Sequence, residues 1–201
     1  GAAVTITESG IEASGIGITC ANINGQQIGG RRNMIINGAF LVAQRGTSST
    51  SAGYQTVDRF RTYTNGVDEE PTQAQVDVSS GTGPYTEGFR KAFKITNGNQ
   101  TGGAGSGDYI FLRHMIEAQN VSNSGWNYTS SSSFVTLSFW VKASVAQNYY
   151  FSLLSGDGTL QNFPMETGSL SADTWTKITK TIPGASNIQF DDNNGIGIEL
   201  D

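Results

Sequence analysis

Between residues 134 and 143 the chain reads Phe-Val-Thr-Leu-Ser-Phe-Trp-Val-Lys-Ala, with Val135, Leu137, Phe139 and Val141 alternating against Thr136, Ser138, Trp140 and Lys142. A repeat of two sends the two sets to opposite faces of a strand, so this segment predicts a half-buried β-strand. Residues 89–95 read similarly, and 109–117 are apolar on both faces, which suits a central strand. Further strands are predicted at 34–36 running on to 44, and at 59–64, 74–78, 149–154, 175–182 and 196–200. Turn chemistry separates them: Asn37-Gly38, Asn65-Gly66, Gly81-Thr-Gly-Pro84, 101–107, 130–133, Gly156-Asp-Gly158 and Pro183-Gly184. Many short strands at this spacing predict an all-β sandwich or barrel, and no stretch of ten residues has a convincing helical period.

Composition agrees with that reading. The 201 residues include 26 glycines, and only 14% of them are charged, against about a quarter in ordinary globular chains. The formal charge is -5 and the Lys and Arg are scattered, so no basic stripe offers counterion release, and a nucleic-acid partner is not expected. No apolar run approaches the ~20 residues that span a bilayer, and the first residues lack the order of a signal peptide, so no membrane insertion is expected. The single cysteine, Cys20, excludes an intrachain disulfide and fits synthesis in a reducing cytosol. Three glycosylation sequons, at Asn99, Asn120 and Asn127, are read as chance in so Ser/Thr/Asn-rich a chain.

Residues 1–30 stand apart. They contain no aromatic residue, no Lys and no Arg, and they echo themselves in Ser9-Gly-Ile-Glu-Ala13 and Ser14-Gly-Ile-Gly-Ile18. Ile6, Ile11, Ile16, Ile18, Ile23 and Ile28 have no intrachain core to enter, which predicts an extended attachment or trimerisation segment filled by other copies of the chain; a loose linker is the alternative. The expected domains are therefore 1–30, a stalk, and 31–201, the sandwich.

Candidate chemistry is sparse. His114 is the only histidine and sits mid-strand without a nucleophile that spacing would pair with it, so it reads as structural. Gly102-Gly-Ala-Gly-Ser-Gly107 lacks the Lys-Ser/Thr and the helix of a phosphate loop and reads as a strand connector. Asp68-Glu69-Glu70 and Asp191-Asp192 are nominal carboxylate pairs for a glycosidase, but adjacent strand residues point oppositely, so neither presents a facing pair. Asp191-Asp-Asn-Asn-Gly195 is rich in oxygen ligands but lacks the spacing of a calcium loop. No catalytic residue, metal or cofactor is expected. The residues that invite a ligand are aromatic: Trp140, on the face opposite Phe139, and Trp126 and Tyr128 in the polar stretch 123–133 are candidate carbohydrate-stacking rings. Trp140 has a rival reading, a ring covered by another subunit or segment.

Read in order, Arg31-Arg-Asn-Met-Ile-Ile-Asn-Gly-Ala-Phe40, Ala43-Gln-Arg-Gly46, Val57-Asp-Arg-Phe60, Ile116-Glu-Ala-Gln-Asn-Val121, Thr136-Leu-Ser-Phe-Trp-Val-Lys142, Trp175 and Thr181-Ile-Pro-Gly184 resemble a family of bacteriophage virion fibre proteins common in marine and cyanobacterial phages. The resemblance covers residues 31 to about 200. It implies a jelly-roll sandwich like a carbohydrate-binding module, hung on a trimer-forming stalk to which 1–30 is similar, with no catalytic residue to carry over. It also implies a homotrimeric tail fibre or other host-contacting appendage, assembled in the host cytoplasm. Such an appendage would be joined to other virion proteins through residues 1–30 and would touch host-surface carbohydrate. A head fibre or decoration protein and a tailspike-like glycan hydrolase are the alternatives. Members of that family run on past the position of Asp201 with further strands, so the sandwich is expected to be incomplete at its C-terminus.

Overall fold

The computed structural model describes residues 33–201 and, before them, only the backbone of four short strands. These are β1 (Val4–Thr7) paired antiparallel with β2 (Gly10–Ala13), and β3 (Asn22–Ile23) paired with β4 (Gln26–Gln27). The expected stalk, with its isoleucine side chains and Cys20, otherwise lies outside the described residues.

From residue 33 the fold is antiparallel β-structure with two short helices. The elements are β5 (Ser48–Ser49), β6 (Phe60–Asn65), β7 (Thr72–Asp77), α1 (Gly83–Thr86), β8 (Lys91–Thr96), β9 (Tyr109–Glu117), α2 (Ala118–Ser122), β10 (Phe134–Val141), β11 (Asn148–Ser155), β12 (Gln161–Ser169), β13 (Thr176–Pro183) and β14 (Ile196–Leu200). The largest sheet has the order β12-β11-β14-β9-β6, so β9 is internal, paired on both sides. Register aligns Phe163, Leu153, Leu200, His114 and Phe60 in one row across all its strands. Side chains alternate along a strand, so that row and its even neighbours Thr62 and Ile116 share one face. Phe60, Thr62, His114, Ile116, Leu153 and Ile198 on this face are all buried.

Two smaller sheets cover it. One is the β10-β13 pair, whose Val135 and Leu137 pack against a core of Ile116, Val121, Trp126, Leu153, Ile182, Ile188, Phe190 and Ile198. Phe139 meets Phe151 edge-on at 5.1 Å between ring centres. The alternation seen at 134–139 is thus the inner and outer face of a real strand, with Thr136 and Ser138 exposed. The other is β5-β7-β8, which lies over the β6 end of the large sheet. Phe93 of β8 is 6.2 Å from Phe40, and Phe40 is 4.8 Å from Phe60. The fully buried Gln73 of β7 donates to Thr62 Oγ1 at 2.9 Å. Each core Leu, Ile or Phe so covered contributes about 1.5–3 kcal/mol by leaving water.

One predicted strand is corrected. Residues 36–39 form a turn and 34–44 contain no strand, because Asn37 and Phe40 take left-handed backbone angles (φ 59° and 56°) that no strand tolerates. The Asn37 side chain explains the conformation: Nδ2 donates to the carbonyls of Val42 and Asp58, both at 2.9 Å, and Oδ1 accepts from Val42 N at 3.1 Å. Met34 and Ile35 still pack on the core, which is why the segment looks strand-like in sequence. The strand β12 was not expected. It carries Pro164 and lies at the edge of the sheet, where a missing N–H costs no ladder bond on the outer side. At the opposite edge, β6 is met by Gly53, whose N donates to Thr62 O at 2.9 Å.

Candidate functional site: an aromatic and arginine-lined sheet face

The face of the five-stranded sheet turned away from the core is built by the odd residues of β6 and β9. Tyr63 lies opposite Phe111, Asn65 opposite Tyr109, and Arg61 opposite Arg113. The three rings form a stacked set. Tyr63 and Tyr109 are 6.0 Å apart at 7°, Tyr63 and Phe111 5.4 Å at 29°, and Tyr109 and Phe111 5.1 Å at 25°. Tyr63 and Tyr109 remain 37% and 40% exposed, so the stack presents ring surface to solvent. Further across the same sheet Tyr150 is 80% exposed.

Two arginines frame the rings in different ways. Arg113 is a closed unit: Nε and Nη2 donate to the two oxygens of Asp201, both at 2.6 Å, while Nη1 pairs with Glu199 at 2.7 Å. The hydrogen bonds it donates to Asp201 are the main reason its pKa is raised further above the arginine value, against a smaller opposing effect of burial. Its guanidinium carbon also lies 5.3 Å from the Tyr63 ring and 5.0 Å from Phe111. Arg61 instead reaches Tyr54 at 5.4 Å and Tyr63 at 4.8 Å, and its buried Nε has no hydrogen-bond partner among the described residues. Like charges directly opposite destabilise a sheet. The Arg61–Arg113 pair is tolerated because two carboxylates neutralise Arg113 and ring faces attract Arg61.

Past Arg113, the same face of β9 runs through Met115 and Glu117 into a depression of about 360 Å³ lined by Arg45, Tyr54, Arg59, Met115, Glu117 and Asn194 among others. From Tyr109 to Glu117 the face is roughly 27 Å long at ~3.4 Å per residue. Rings that accept the C–H face of a ligand, flanked by guanidinium donors and carboxylate acceptors, are the groups that bind a sugar: stacking satisfies its apolar side and the polar groups its hydroxyls.

The residues predicted from sequence are placed differently. Trp126 is 5% exposed and belongs to the core, with its indole N–H donating to Ser133 O at 3.3 Å, so the expectation of an exposed stacking ring there is corrected. Its backbone does lie in a loop, but the loop folds the ring inward against Tyr128 and Phe190. Tyr128 is half-buried and meets Phe190 edge-on at 4.8 Å. Trp140 is on the outer face of β10, yet it is roofed by the same chain: Gly83 of α1 lies against the indole, and Nε1 donates to Glu87 Oε2 at 3.1 Å. Lys177 donates to the same carboxylate at 2.8 Å, and this bond, followed by the one from Trp140, lowers the Glu87 pKa. The structure does not bring the three predicted rings together on one exposed surface.

The other candidate groups are engaged within the chain, except that His114 Nε2 is buried with no hydrogen-bond partner among the described residues. His114 donates from Nδ1 to Arg59 O at 3.0 Å and stacks on Phe60 at 4.5 Å, and burial lowers its pKa. Asp68 accepts from Gly102 N and Asp108 from Gly105 N, each at 2.6 Å, so the chain's own carboxylates occupy the amides of the glycine-rich loop. Glu69 and Glu70 accept from Asn99 N and Thr64, and Asp192 accepts from Asn123 at 3.1 Å. Among the described residues no group of three or more His, Cys, Asp or Glu converges as a metal site, and no helix is long and apolar enough to cross a membrane.

Sequence reasoning missed Tyr63, Tyr109, Phe111, Arg61 and Arg113. The signal was present in 109–117: apolarity on both faces fitted the central place that β9 occupies, but the outer set includes Tyr109 and Phe111 beside Arg113, a combination that marks a solvent-facing surface. No protein-family model, no curated protein and no solved structure matches the chain.

Proposed function

We propose that the protein is a glycan-contacting structural protein of a phage particle, a tail fibre or similar appendage, that binds host-surface carbohydrate and performs no covalent chemistry. The supporting observation is the solvent-facing stack of Tyr63, Tyr109 and Phe111 with Arg61 and Arg113 beside it. On this reading the two layers of antiparallel strands form a jelly-roll sandwich, and 1–30 joins three copies to each other and to neighbouring virion proteins. Linked sites would raise avidity without strong single contacts. The ordered motifs from Arg31 to Gly184 supply the likeness to fibre proteins.

The test is binding of the purified protein to host polysaccharide while newly formed reducing ends are followed. Retained polysaccharide, loss of retention in Tyr109→Ala, and no release of oligosaccharide is the expected result. Steady release abolished by changing one carboxylate would make the protein a hydrolase instead. Absence of both retention and release would leave an appendage whose ring face meets another protein, and electron microscopy of labelled virions would then separate head from tail.

A further inference from the structure

The depression at the end of β9 differs in charge from the molecule that carries it. The chain as a whole has a formal charge of -5. Around the depression stand Arg45 and Arg59, with Arg61 next to Tyr54, facing two carboxylates, Asp58 and Glu117. Both arginines in the depression are weakly committed. Arg45 is 4.0 Å from Asp58 with a side chain 59% exposed, and Arg59 is 3.5 Å from Glu117 with a side chain 46% exposed. Those carboxylates are already engaged elsewhere, since Asp58 accepts from Gln44 N at 3.1 Å and Glu117 from Gln119 at 2.8 Å. A guanidinium offers five donors, so most of those on Arg45 and Arg59 are free to meet an incoming acceptor.

The backbone at Arg59 carries the second observation. Its φ is 72°, a left-handed angle that a long side chain adopts at a cost and that glycine adopts freely. The conformation is enforced from below: His114 Nδ1 holds the Arg59 carbonyl, and Phe60 N donates to Val57 O at 3.3 Å. Strain kept at a position where glycine would relieve it points to a use for the side chain. Arg59 is thereby aimed into a depression that also holds the ring of Tyr54.

We infer that this depression, resting on the glycan-binding reading above, receives an acidic sugar, whose oxyanion is held by Arg45 and Arg59 while neighbouring units lie along Tyr63, Phe111 and Tyr109. The oxyanion is a carboxylate or a sulfate ester; both match the planar fork of a guanidinium. The volume lies at the low end of the ~300–1,000 Å³ of small-ligand pockets, enough for one unit of a chain and not for a long segment.

The experiment is calorimetric titration of the full chain with oligogalacturonate and with its methyl ester, which has the same rings without the charge. A sulfated oligosaccharide and its desulfated form make a parallel arm. At low salt one acidic member binds about tenfold tighter than its neutral counterpart, a ratio worth about 1.4 kcal/mol, and the arm in which this occurs identifies the oxyanion. The ratio shrinks as salt screens the exposed charges. Arg45→Gln and Arg59→Gly each reduce it, while the Arg59→Gly protein unfolds at the same or a higher temperature because the strain is gone. Tyr109→Ala weakens acidic and neutral oligomers alike. Equal binding of acidic and neutral forms in both arms, with loss in Tyr109→Ala, overturns the acidic-sugar assignment and leaves the glycan reading standing. No binding of any oligomer overturns both. A tenfold ratio that survives Arg45→Gln and Arg59→Gly refutes the placement in this depression.

Discussion

Replacing Gln73 by leucine tests how the three-stranded sheet is fastened to the five-stranded one. Gln73 is fully buried; its amide nitrogen faces Ser51 O at 2.6 Å, Thr62 Oγ1 at 2.9 Å and Gly53 O at 3.1 Å, and its amide oxygen accepts from Thr56 at 3.0 Å. The carbonyl partners fix the amide orientation, and with only two hydrogens on the nitrogen one of the three contacts is shared. Leucine keeps the volume and removes every one of these bonds. Gly53 O retains a bond from Gln55 N, and Ser51 lies at the surface, so those two carbonyls lose little. Thr56 and Thr62 are 1% and 0% exposed and have nowhere to turn. Two buried hydroxyls left unpaired at about 1–3 kcal/mol each give an expected loss of about 2–6 kcal/mol, read as a lower urea midpoint with unchanged slope. The triple variant Gln73→Leu/Thr56→Val/Thr62→Val removes all the unpaired groups together and should recover most of that loss, since replacing both partners by apolar groups of the same shape is close to neutral. A single variant that loses less than about 1 kcal/mol, or a triple variant with no recovery, would refute the idea that a polar clamp holds these layers.

Two other perturbations probe different forces. A methyl group on Gly184 would stand 2.5 Å from Tyr128 O and 2.6 Å from Ser130 O, both backbone atoms, so Gly184→Ala should lower stability by roughly 1–3 kcal/mol in thermal unfolding, and an unchanged melting temperature would contradict the packing of that turn. His114 has a pKa lowered chiefly by burial, so the unfolded chain binds the extra proton. Its contribution to stability is complete above the ordinary histidine value of about 6.5 and is lost as pH falls from there towards the depressed folded value. Urea midpoints of the protein and of His114→Gln should therefore diverge less at pH 5 than at pH 7.5, and parallel profiles would refute a buried neutral imidazole.

Strand existence was legible wherever alternation or continuous apolarity was strong. The segment 109–117 was delimited correctly, and 134–139 kept its register, because in both the side chains that enter the core recur at every second residue. The turn at Asn37-Gly38 was legible as a turn, but the strand predicted to run through it to residue 44 failed, because Asn37 also ties the segment to the distant Asp58 carbonyl, a contact no local pattern reports. β12 was hidden by Pro164 and by a run of polar residues that an edge strand can carry. The ring face was hidden for a related reason: exposure of Tyr63, Tyr109 and Phe111 depends on which side of the sheet receives the second layer, and that is settled by Ile116, Leu153 and Ile198 in three separate strands. Trp126 and Trp140 were singled out as large rings in polar contexts, but Phe190 and Gly83, remote in sequence, decide what those rings touch.

The borders of the five-stranded sheet limit how copies of this protein can meet. On one side β12 brings Pro164 and a kink at Gly168, which adopts φ 74°, with a register shift in its pairing to β11 between Asn148 and Tyr150. On the other, Gly53 already bonds to β6 at Thr62. Open strand borders are where sheets of neighbouring molecules fuse into aggregates, and proline, bulges and covering loops are the devices that prevent it. Both borders of the large sheet therefore carry features that disfavour its continuation by a strand from another molecule, which leaves its faces, with their solvent-facing tyrosines, as the surface open to contact.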